Sequence, residues 1–432
     1  MPAEMIHAQI AALRPALAPR AVKIGMTANA AIVRAIATHL KPFDAFVVLD
    51  PVFRASSQEM LTDEEALRVA QLELFPKVDL MTPNLPEAEH LLRRAIRTDE
   101  EVESAAADLL GLGPGSVLLK GGHRGAECVQ DYFTCGSDSF WLSGPRVDAA
   151  GTHGTGCVLS SAIAAGMARG LDLPDSLVLA RAYIQQALRE SWKPEQGTGP
   201  VVPGSPPHSP CDMPWITSTA EAGRRRLAFP SAEESPFGLY PVVDTIEWVE
   251  RLLPLGLKAI QLRIKDPSRP DIEESVREAV AAARRSPTKL YINDHYEAAI
   301  RHGAYGVHLG QDDMNPKALQ AVAEAGLRLG LSTHSYFEMA RSRAVQPSYI
   351  AIGTVFRSTS KVMDYKPLGL EAFRAMCSLA GCPVIAIGGI HLPHAEALRH
   401  AGADGMAVIS EIKAGADPKT TIRAWKQALA HG

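Results

Sequence analysis

Eight short apolar runs, spread over about the last 190 residues of a 432-residue chain, constrain this sequence more than any other feature. They read YPVVD (240–244), AIQLRIK (259–265), LYIND (290–294), GVHLG (306–310), LRLGLSTH (327–334), YIAIGTVF (349–356), PVIAIGGI (383–390) and MAVIS (406–410). Amphipathic stretches such as 272–285 and 315–325 separate them. Short β-rich runs alternating with helices predict parallel strands joined by right-handed crossovers. Eight such units in so short a span predict a closed TIM (β/α)8 barrel over residues 237–432. Most of the runs turn polar or glycine-rich at their C-terminal end, where this architecture builds its sites.

The first half has a different rhythm. Its apolar runs are AVKIG (21–25), AFVVLD (45–50), LMTPN (80–84) and SVLLKGG (116–122), with a β-ribbon predicted at 128–142. Helices are predicted over 63–74, 86–93, 99–110, 156–169 and 175–192, which makes residues 1–203 an open α/β sheet domain. Nine of the 31 prolines lie between Pro194 and Pro236. Proline fixes φ and removes a backbone donor, so residues 204–236 are expected to be a linker without regular structure, ordered only where Trp215 and Ile216 can dock. The basic run Arg224, Arg225, Arg226 within it reads as a solvated patch.

Charge narrows the function. With 44 basic and 48 acidic residues the formal net charge is −4, which argues against a broad nucleic-acid surface but leaves room for a local phosphate pocket. The six cysteines (Cys128, Cys135, Cys157, Cys211, Cys377, Cys382) form no C-x-x-C pair and show no zinc spacing with histidine, as suits a reducing compartment. No continuous apolar segment opens the chain, and none reaches the roughly 18 residues that a membrane span needs. A soluble, cytoplasmic protein with no membrane or nucleic-acid partner is expected, with homo-oligomerisation left open.

In the second run, Gln261, Arg263 and Lys265 alternate and would share one strand face. Two cations and an amide at a barrel mouth can clamp a diphosphate; equally, they can be strand-end charges paired with neighbouring acids. Asn293 and Asp294 close the third run, and Gln311, Asp312 and Asp313 follow the fourth. Carboxylates on adjacent strand ends can share Mg²⁺ with a substrate phosphate, while Asp312 or Asp313 could instead cap the next helix. Gly388 and Gly389, with Ile409 and Ser410, would supply backbone amides to a second phosphate after strands seven and eight. His308 and His334 read as wall residues.

In order and spacing, QLRIK, IND, GVHLGQDD, GLSTH, IAIGTVFRSTSK and AIGGI resemble the thiamine-phosphate synthase family over 237–415. The resemblance implies that Gln261, Arg263, Lys265, Asn293, Ser332 and Lys361 bind hydroxymethylpyrimidine diphosphate. It places Mg²⁺ on Asp294 and Asp313, and the thiazole phosphate on Ser358, Thr359, Ser360, Gly389, Ile409 and Ser410. It also implies a dissociative reaction: pyrophosphate leaves, and the thiazole nitrogen captures a pyrimidine-stabilised cation. Arg263, Lys265 and Lys361 would then act on leaving-group charge. The loop reads RSTSK, with Arg357 and two serines where the family tends to have Pro and Thr, so altered affinity is expected. A rival on the same barrel, the related thiazole tautomerase carrying a non-catalytic kinase-derived docking module, needs neither clamp nor metal ligands.

In the first half, GTHGTGC (151–157) opens a helix with a glycine-rich first turn whose free amides could hold a phosphoryl group. Cys157 there is either an activated thiol or a small packing residue. VKIGM, VVLDPVF, TPNLPEAE, VLLKGGH and GTHGTGC together resemble hydroxymethylpyrimidine phosphate kinase, of the ribokinase-like superfamily, over 1–203. The resemblance implies Cys157 and Lys120 as catalytic residues, Gly154 and Gly156 at an anion hole, Asn84 and Glu87 near Mg-ATP, and Met26 and Val52 in the pyrimidine pocket. ATP would be the co-substrate. The family's opening strand and Gly-rich loop are not found here, so the module is expected to be truncated and inactive or weak, unless the true start lies upstream.

Overall fold

The computed structural model describes all residues except 1, 14–17, 41–42, 54–61, 123–126, 193–198, 234, 236, 358–365, 415–416 and 431–432. It divides into two compact units, Met1–Arg225 and Arg226–Gly432.

The first unit carries strands β1 (Ala21–Ile24), β2 (Phe46–Leu49), β3 (Leu80–Met81), β4 (Val117–Leu119), β5 (Cys128–Thr134) and β6 (Ser139–Pro145). A small parallel pair follows, β7 (Gly151–His153) with β8 (Gly199–Pro200), and then β9 (Trp215–Thr217). Among the described residues the main sheet runs β1-β2-β3-β4-β5-β6-β9, parallel up to β4 and antiparallel beyond it. The predicted helices form at Glu64–Val69 (continuing as a π turn to Leu74), Leu85–Leu92, Asp99–Leu110, Thr155–Ala168 and Leu173–Arg189. A further helix, Ala30–Leu40, lies outside the predicted ones; Asn29 Oδ1 accepts from Ile32 N at its start and Ala30, Val33, Ala37 and Leu40 bury one face. Val33, Leu49, Leu74, Phe75, Met81 and Trp141 fill the core.

Trp215 and Ile216 do dock, as part of a strand, but the linker expectation for the residues around them needs correcting. β9 pairs with β6 through Leu142↔Ile216, and the helix Ala220–Arg224 follows it. The physical reason is local: Pro210 opens a 3-10 turn, Pro214 stands just before the strand, and 215–224 contains no proline. The basic run is not a solvated patch either. Arg224 bonds Asp99 (2.7 Å) and Gln130 (2.7 Å), Arg226 donates to the Arg343 carbonyl (3.2 Å), and only the Arg225–Glu221 pair is well exposed.

The second unit is a closed barrel of eight parallel strands: β10 (Gly238–Val243), β11 (Ala259–Leu262), β12 (Lys289–Asn293), β13 (Gly306–Leu309), β14 (Arg328–Thr333), β15 (Tyr349–Ile352), β16 (Val384–Ile387) and β17 (Gly405–Val408), which pairs back to β10. Residues 226–237 belong to this unit. Phe229 N donates to Gln346 O (3.2 Å), Ser348 Oγ donates to Pro230 O (2.6 Å), and Phe237 enters the core. Tyr240, Tyr291 and Tyr349 fill the interior beside it, meeting mostly edge to face. They fit because Gly306 and Gly330 lack side chains: a Cβ would come within 2.5 Å of Tyr291 at the first and 2.1 Å of Tyr349 at the second. Among the described residues, no helix is long and apolar enough to cross a membrane.

Candidate functional site

At the barrel mouth the three alternating residues of β11 separate by depth. The strand ends at Leu262, although Arg263 N still donates to Val243 O (2.7 Å). Gln261 is 3% exposed and turned inward, donating from Nε2 to Tyr240 Oη (3.4 Å); Arg263 is half-buried and Lys265 exposed. The expected common strand face is therefore a gradient from interior to mouth. Arg263 closes no ion pair among the described residues, but its charge acts on both Asp294 and His308.

The carboxylates come from the next two strand ends. Asn293 is buried at the end of β12, opposite His308. Asp294 follows at φ +63°, the centre of a three-residue turn closed by His295 N donating to Asn293 O (2.8 Å). A non-glycine residue in that region is strained, and such strain gathers at functional sites. Partial desolvation raises the Asp294 carboxyl above its ordinary range, Asp313 adds to the rise, and Arg263 opposes it. The residue remains exposed, so water weakens each effect. Asp313 is exposed too, its Oδ2 folded over Gly310, where a Cβ would lie 3.1 Å away. Neither Asp312 nor Asp313 caps the following helix; Asn315 does, accepting from Ala318 N (2.9 Å). Gln311 turns away from the acids and donates to Ser332 O (2.7 Å).

Ser332 on β14 accepts or donates at 2.9 Å from His308 Nε2, while His308 Nδ1 lies 2.8 Å from Tyr349 Oη. Burial, with Arg263 contributing, pushes His308 down to about 3, so the ring stays neutral. His334 pairs with Glu338 (2.8 Å) at the rim. Gly388 (φ +92°) and Gly389 (φ +65°) serve packing as well as any ligand. A Cβ on Gly389 would lie 2.6 Å from Arg357 O, and one on Gly388 2.3 Å from Thr354. Ile409 lies against the barrel's aromatic core and Ser410 starts the helix Ser410–Ala414. Ser358, Thr359, Ser360 and Lys361 lie outside the described residues.

In the sheet unit, Lys120 Nζ holds Asp50 Oδ1 (2.8 Å) with side chains 12% and 2% exposed. Asp50 was missed from sequence; the signal was an acid closing the apolar run VVLD, as Asp294 closes LYIND. Thr82 and Ser160 hydroxyls lie 3.4 Å and 3.5 Å from it, and a Cβ on Gly156 would come within 3.1 Å of Lys120 Nζ. Gly154 (φ +86°) precedes the helix carrying Cys157, which is exposed rather than packed. Asn84 and Glu87 form a capping box on Leu85–Leu92, and burial pushes Glu87 up to about 7. Met26 is exposed and Val52 half-buried, at the ends of β1 and β2.

A closed parallel barrel with a half-buried guanidinium and two carboxylates at the C-terminal ends of three adjacent strands defines a barrel enzyme whose mouth suits phosphorylated small molecules. The family model for thiamine monophosphate synthase matches residues 239–412, and that for phosphomethylpyrimidine kinase matches 1–202. The chain is 47% identical over 194 residues to the thiamine-phosphate synthase of Salmonella paratyphi A, covering 45% of this chain and 89% of that one. It is 45% identical over 200 residues to that of Neisseria meningitidis serogroup A, covering 46% and 97%. The chain belongs to the thiamine-phosphate synthase family, with a phosphomethylpyrimidine kinase domain fused ahead of the barrel. Among solved structures it is similar to phosphomethylpyrimidine kinase from Clostridium difficile 630, at 31% identity and a TM-score of 0.38, covering 43% of this chain and 77% of that one.

Proposed function

We propose that the barrel condenses hydroxymethylpyrimidine diphosphate with thiazole phosphate to give thiamine phosphate and pyrophosphate, and that the sheet unit uses ATP to make the diphosphate from the monophosphate. The observation that carries the barrel reading is that the Arg263 charge acts on both Asp294 and His308 at the mouth, with Asp294 in a strained turn and within electrostatic reach of Asp313. Arg263 and Lys265, joined by Lys361, would offset charge growing on the departing diphosphate, which is electrostatic stabilisation rather than acid–base work. Two hard, exposed carboxylates, with Asp313 among the causes that raise Asp294, fit Mg²⁺, which completes its shell with water and phosphate oxygens. When bound there, Mg²⁺ supplies further positive charge to the leaving group. Gln261, Asn293 and Ser332 would orient the pyrimidine; Gly388, Gly389, Ile409 and Ser410, with Ser358, Thr359 and Ser360, would hold the thiazole phosphate.

In the sheet unit, Lys120 and the amides around Gly154 and Gly156 would meet the transferring phosphoryl group beside Cys157. Asn84 and Glu87 would stand near Mg-ATP, with Met26 and Val52 against the pyrimidine. One experiment tests both readings on the full chain. Thiamine phosphate is measured with the pyrimidine diphosphate, thiazole phosphate and Mg²⁺, and in parallel with the monophosphate plus ATP. The match of the kinase family model over 1–202 supports an active module in place of the inactive or weak one expected from sequence, so product in both reactions is expected. Product in the first alone would remove the kinase reading, and product in neither, from folded protein, would remove both.

A further inference from the structure

Lys120 opens a loop whose backbone is fixed at three successive residues. Lys120 N donates to Pro83 O (2.8 Å), Gly121 N donates to Asp131 Oδ1 (2.9 Å), and Gly122 O accepts from Arg146 Nη2 (3.2 Å). Of these three contacts only the middle one is both charged and buried, Asp131 being 5% exposed. It forms because Gly121 has no side chain. A Cβ there would lie 1.9 Å from Gln130 O, so any other residue would lift the loop off β5.

The second oxygen of Asp131 is taken by a guanidinium. Arg181 Nε, on the helix Leu173–Arg189, lies 3.1 Å from Asp131 Oδ2, and Arg181 is itself 5% exposed. Its Nη1 donates to Gln185 Oε1 (2.7 Å), and Gln185 Nε2 donates to Pro145 O (2.7 Å), so the guanidinium is held in turn. The helix that carries Arg181 packs closely on Thr155–Ala168: a Cβ on Gly166 would come within 2.6 Å of Ser176 Oγ. Thr155–Ala168 begins beside Lys120, since a Cβ on Gly156 would lie 3.1 Å from Lys120 Nζ. The contacts close a ring. Lys120 Nζ stands at the start of one helix, and the Lys120 backbone is tied through Gly121, Asp131 and Arg181 to the helix packed against it. A buried ion pair adds little net stability over apolar residues of similar volume, so holding the fold together is a weak reason for this one. A carboxylate with both oxygens engaged fixes two directions at once, which suits positioning better.

We propose that Asp131 and Arg181 are positioning residues of the sheet unit, which set the place of the Lys120 ammonium against the amides at the start of Thr155–Ala168 so that both meet one transferring phosphoryl group. Neither residue touches the substrate. The inference rests on the kinase reading of the sheet unit and adds two residues to it. Lys120 and those amides act on charge that develops during transfer, so a shift between them should appear in kcat. Binding of the ground state through Asn84, Glu87, Met26 and Val52 should stay in place. Misplacement by about 1 Å can cost roughly 10²-fold in rate.

Two double variants of the full chain, both without the buried charges, separate positioning from packing. Asp131→Asn with Arg181→Met keeps an acceptor for Gly121 N, and Asp131→Leu with Arg181→Met removes it. ADP formation from ATP and the pyrimidine monophosphate is measured in each, with the folded fraction taken from urea unfolding. The first should keep kcat within about threefold of wild type, and the second should lose about tenfold or more, with KM for both substrates nearly unchanged. The synthase rate of the barrel on added pyrimidine diphosphate should not change in either. Equal kcat per folded molecule in the two double variants overturns the proposal, and so does a loss carried by KM alone. Where a double variant does not fold, Arg181→Lys decides. It keeps the charge but cannot reproduce the planar fork that holds Asp131 and Gln185, so kcat should fall about threefold or more with KM unchanged. A wild-type kcat in Arg181→Lys overturns the proposal in the same way. If the wild-type chain forms no ADP with this substrate, the kinase reading fails instead.

Discussion

The barrel mouth and the sheet site use charge in opposite ways. In the barrel, Arg263 is half-buried without an ion pair among the described residues, and Lys265, Asp294 and Asp313 all face solvent. In the sheet unit, Lys120 is closed onto an Asp50 that is almost wholly buried, with Thr82 and Ser160 beside it. An open charge is available to a ligand and adds little to the fold, whereas a buried pair is part of the fold before any ligand arrives. The two sites should therefore respond differently to the loss of one charge.

The largest effect is expected in the barrel. Arg263→Ala should lower synthase kcat/KM by about 10²- to 10³-fold, the range for removing one preorganised charge-stabilising donor. Its urea midpoint should barely move. A midpoint that fell with activity would show that Arg263 is structural and would erase the contrast. In the sheet unit the order reverses: Asp50→Ala leaves Lys120 facing a half-empty buried site and should cost about 3 kcal/mol of stability. The double variant Asp50→Ala, Lys120→Met should recover part of that loss, measured by urea unfolding. A double variant no more stable than the single would mean that the pair is not coupled.

The same contrast explains what could be read from sequence. Strands β10 to β17 were legible because each apolar run has the length of a strand and each separator the spacing of a helix, and the motifs at their ends lie in sequence where they lie in space. Arg263, Asp294 and Asp313 needed no long-range knowledge. The sheet site is assembled across 70 residues between Lys120 and Asp50 and 110 between Ser160 and Asp50, so nothing local in VVLD announced a partner. Around β9 only the docking of Trp215 and Ile216 was legible, because proline density was averaged over a stretch whose proline-free middle forms a strand and a helix. The inward turn of Gln261 was hidden too, because period two gives the face of a residue but not its depth.

Glu87 sharpens the comparison through pH. Its carboxyl is pushed from 4.5 up to about 7, first by burial and against the pull of Lys120. Between those values the folded chain keeps a proton that the unfolded chain has released. The stability from this group is therefore complete below pH 4.5 and is lost as pH rises through 7, by up to about 3 kcal/mol. Glu87→Gln preserves an acceptor for the Asn84 N–H in the capping box and should flatten that decline. Unfolding free energies at pH 5 and pH 8 would check it, and equal slopes in the two proteins would place the titration elsewhere.

The smallest effect separates packing from ligand contact inside the barrel. Gly389 and Gly326 share nearly the same backbone, φ +65° and φ +67°. A left-handed residue with a side chain costs roughly 1 kcal/mol at either place. Only at Gly389 does the added Cβ also meet backbone, 2.6 Å from Arg357 O and 2.7 Å from Phe356 O, whereas nothing lies within 4 Å at Gly326. Gly389→Ala should therefore cost about 2 kcal/mol or more, since the loop that begins at Thr354 must move to make room. Gly326→Ala should stay near 1 kcal/mol. The loop leads into the segment proposed to hold the thiazole phosphate, so Gly389→Ala should also raise KM for that substrate and leave KM for the pyrimidine diphosphate nearly unchanged. A matched rise in both would mean that this glycine supports the whole mouth, and the division of the barrel into two phosphate sites would have to be redrawn.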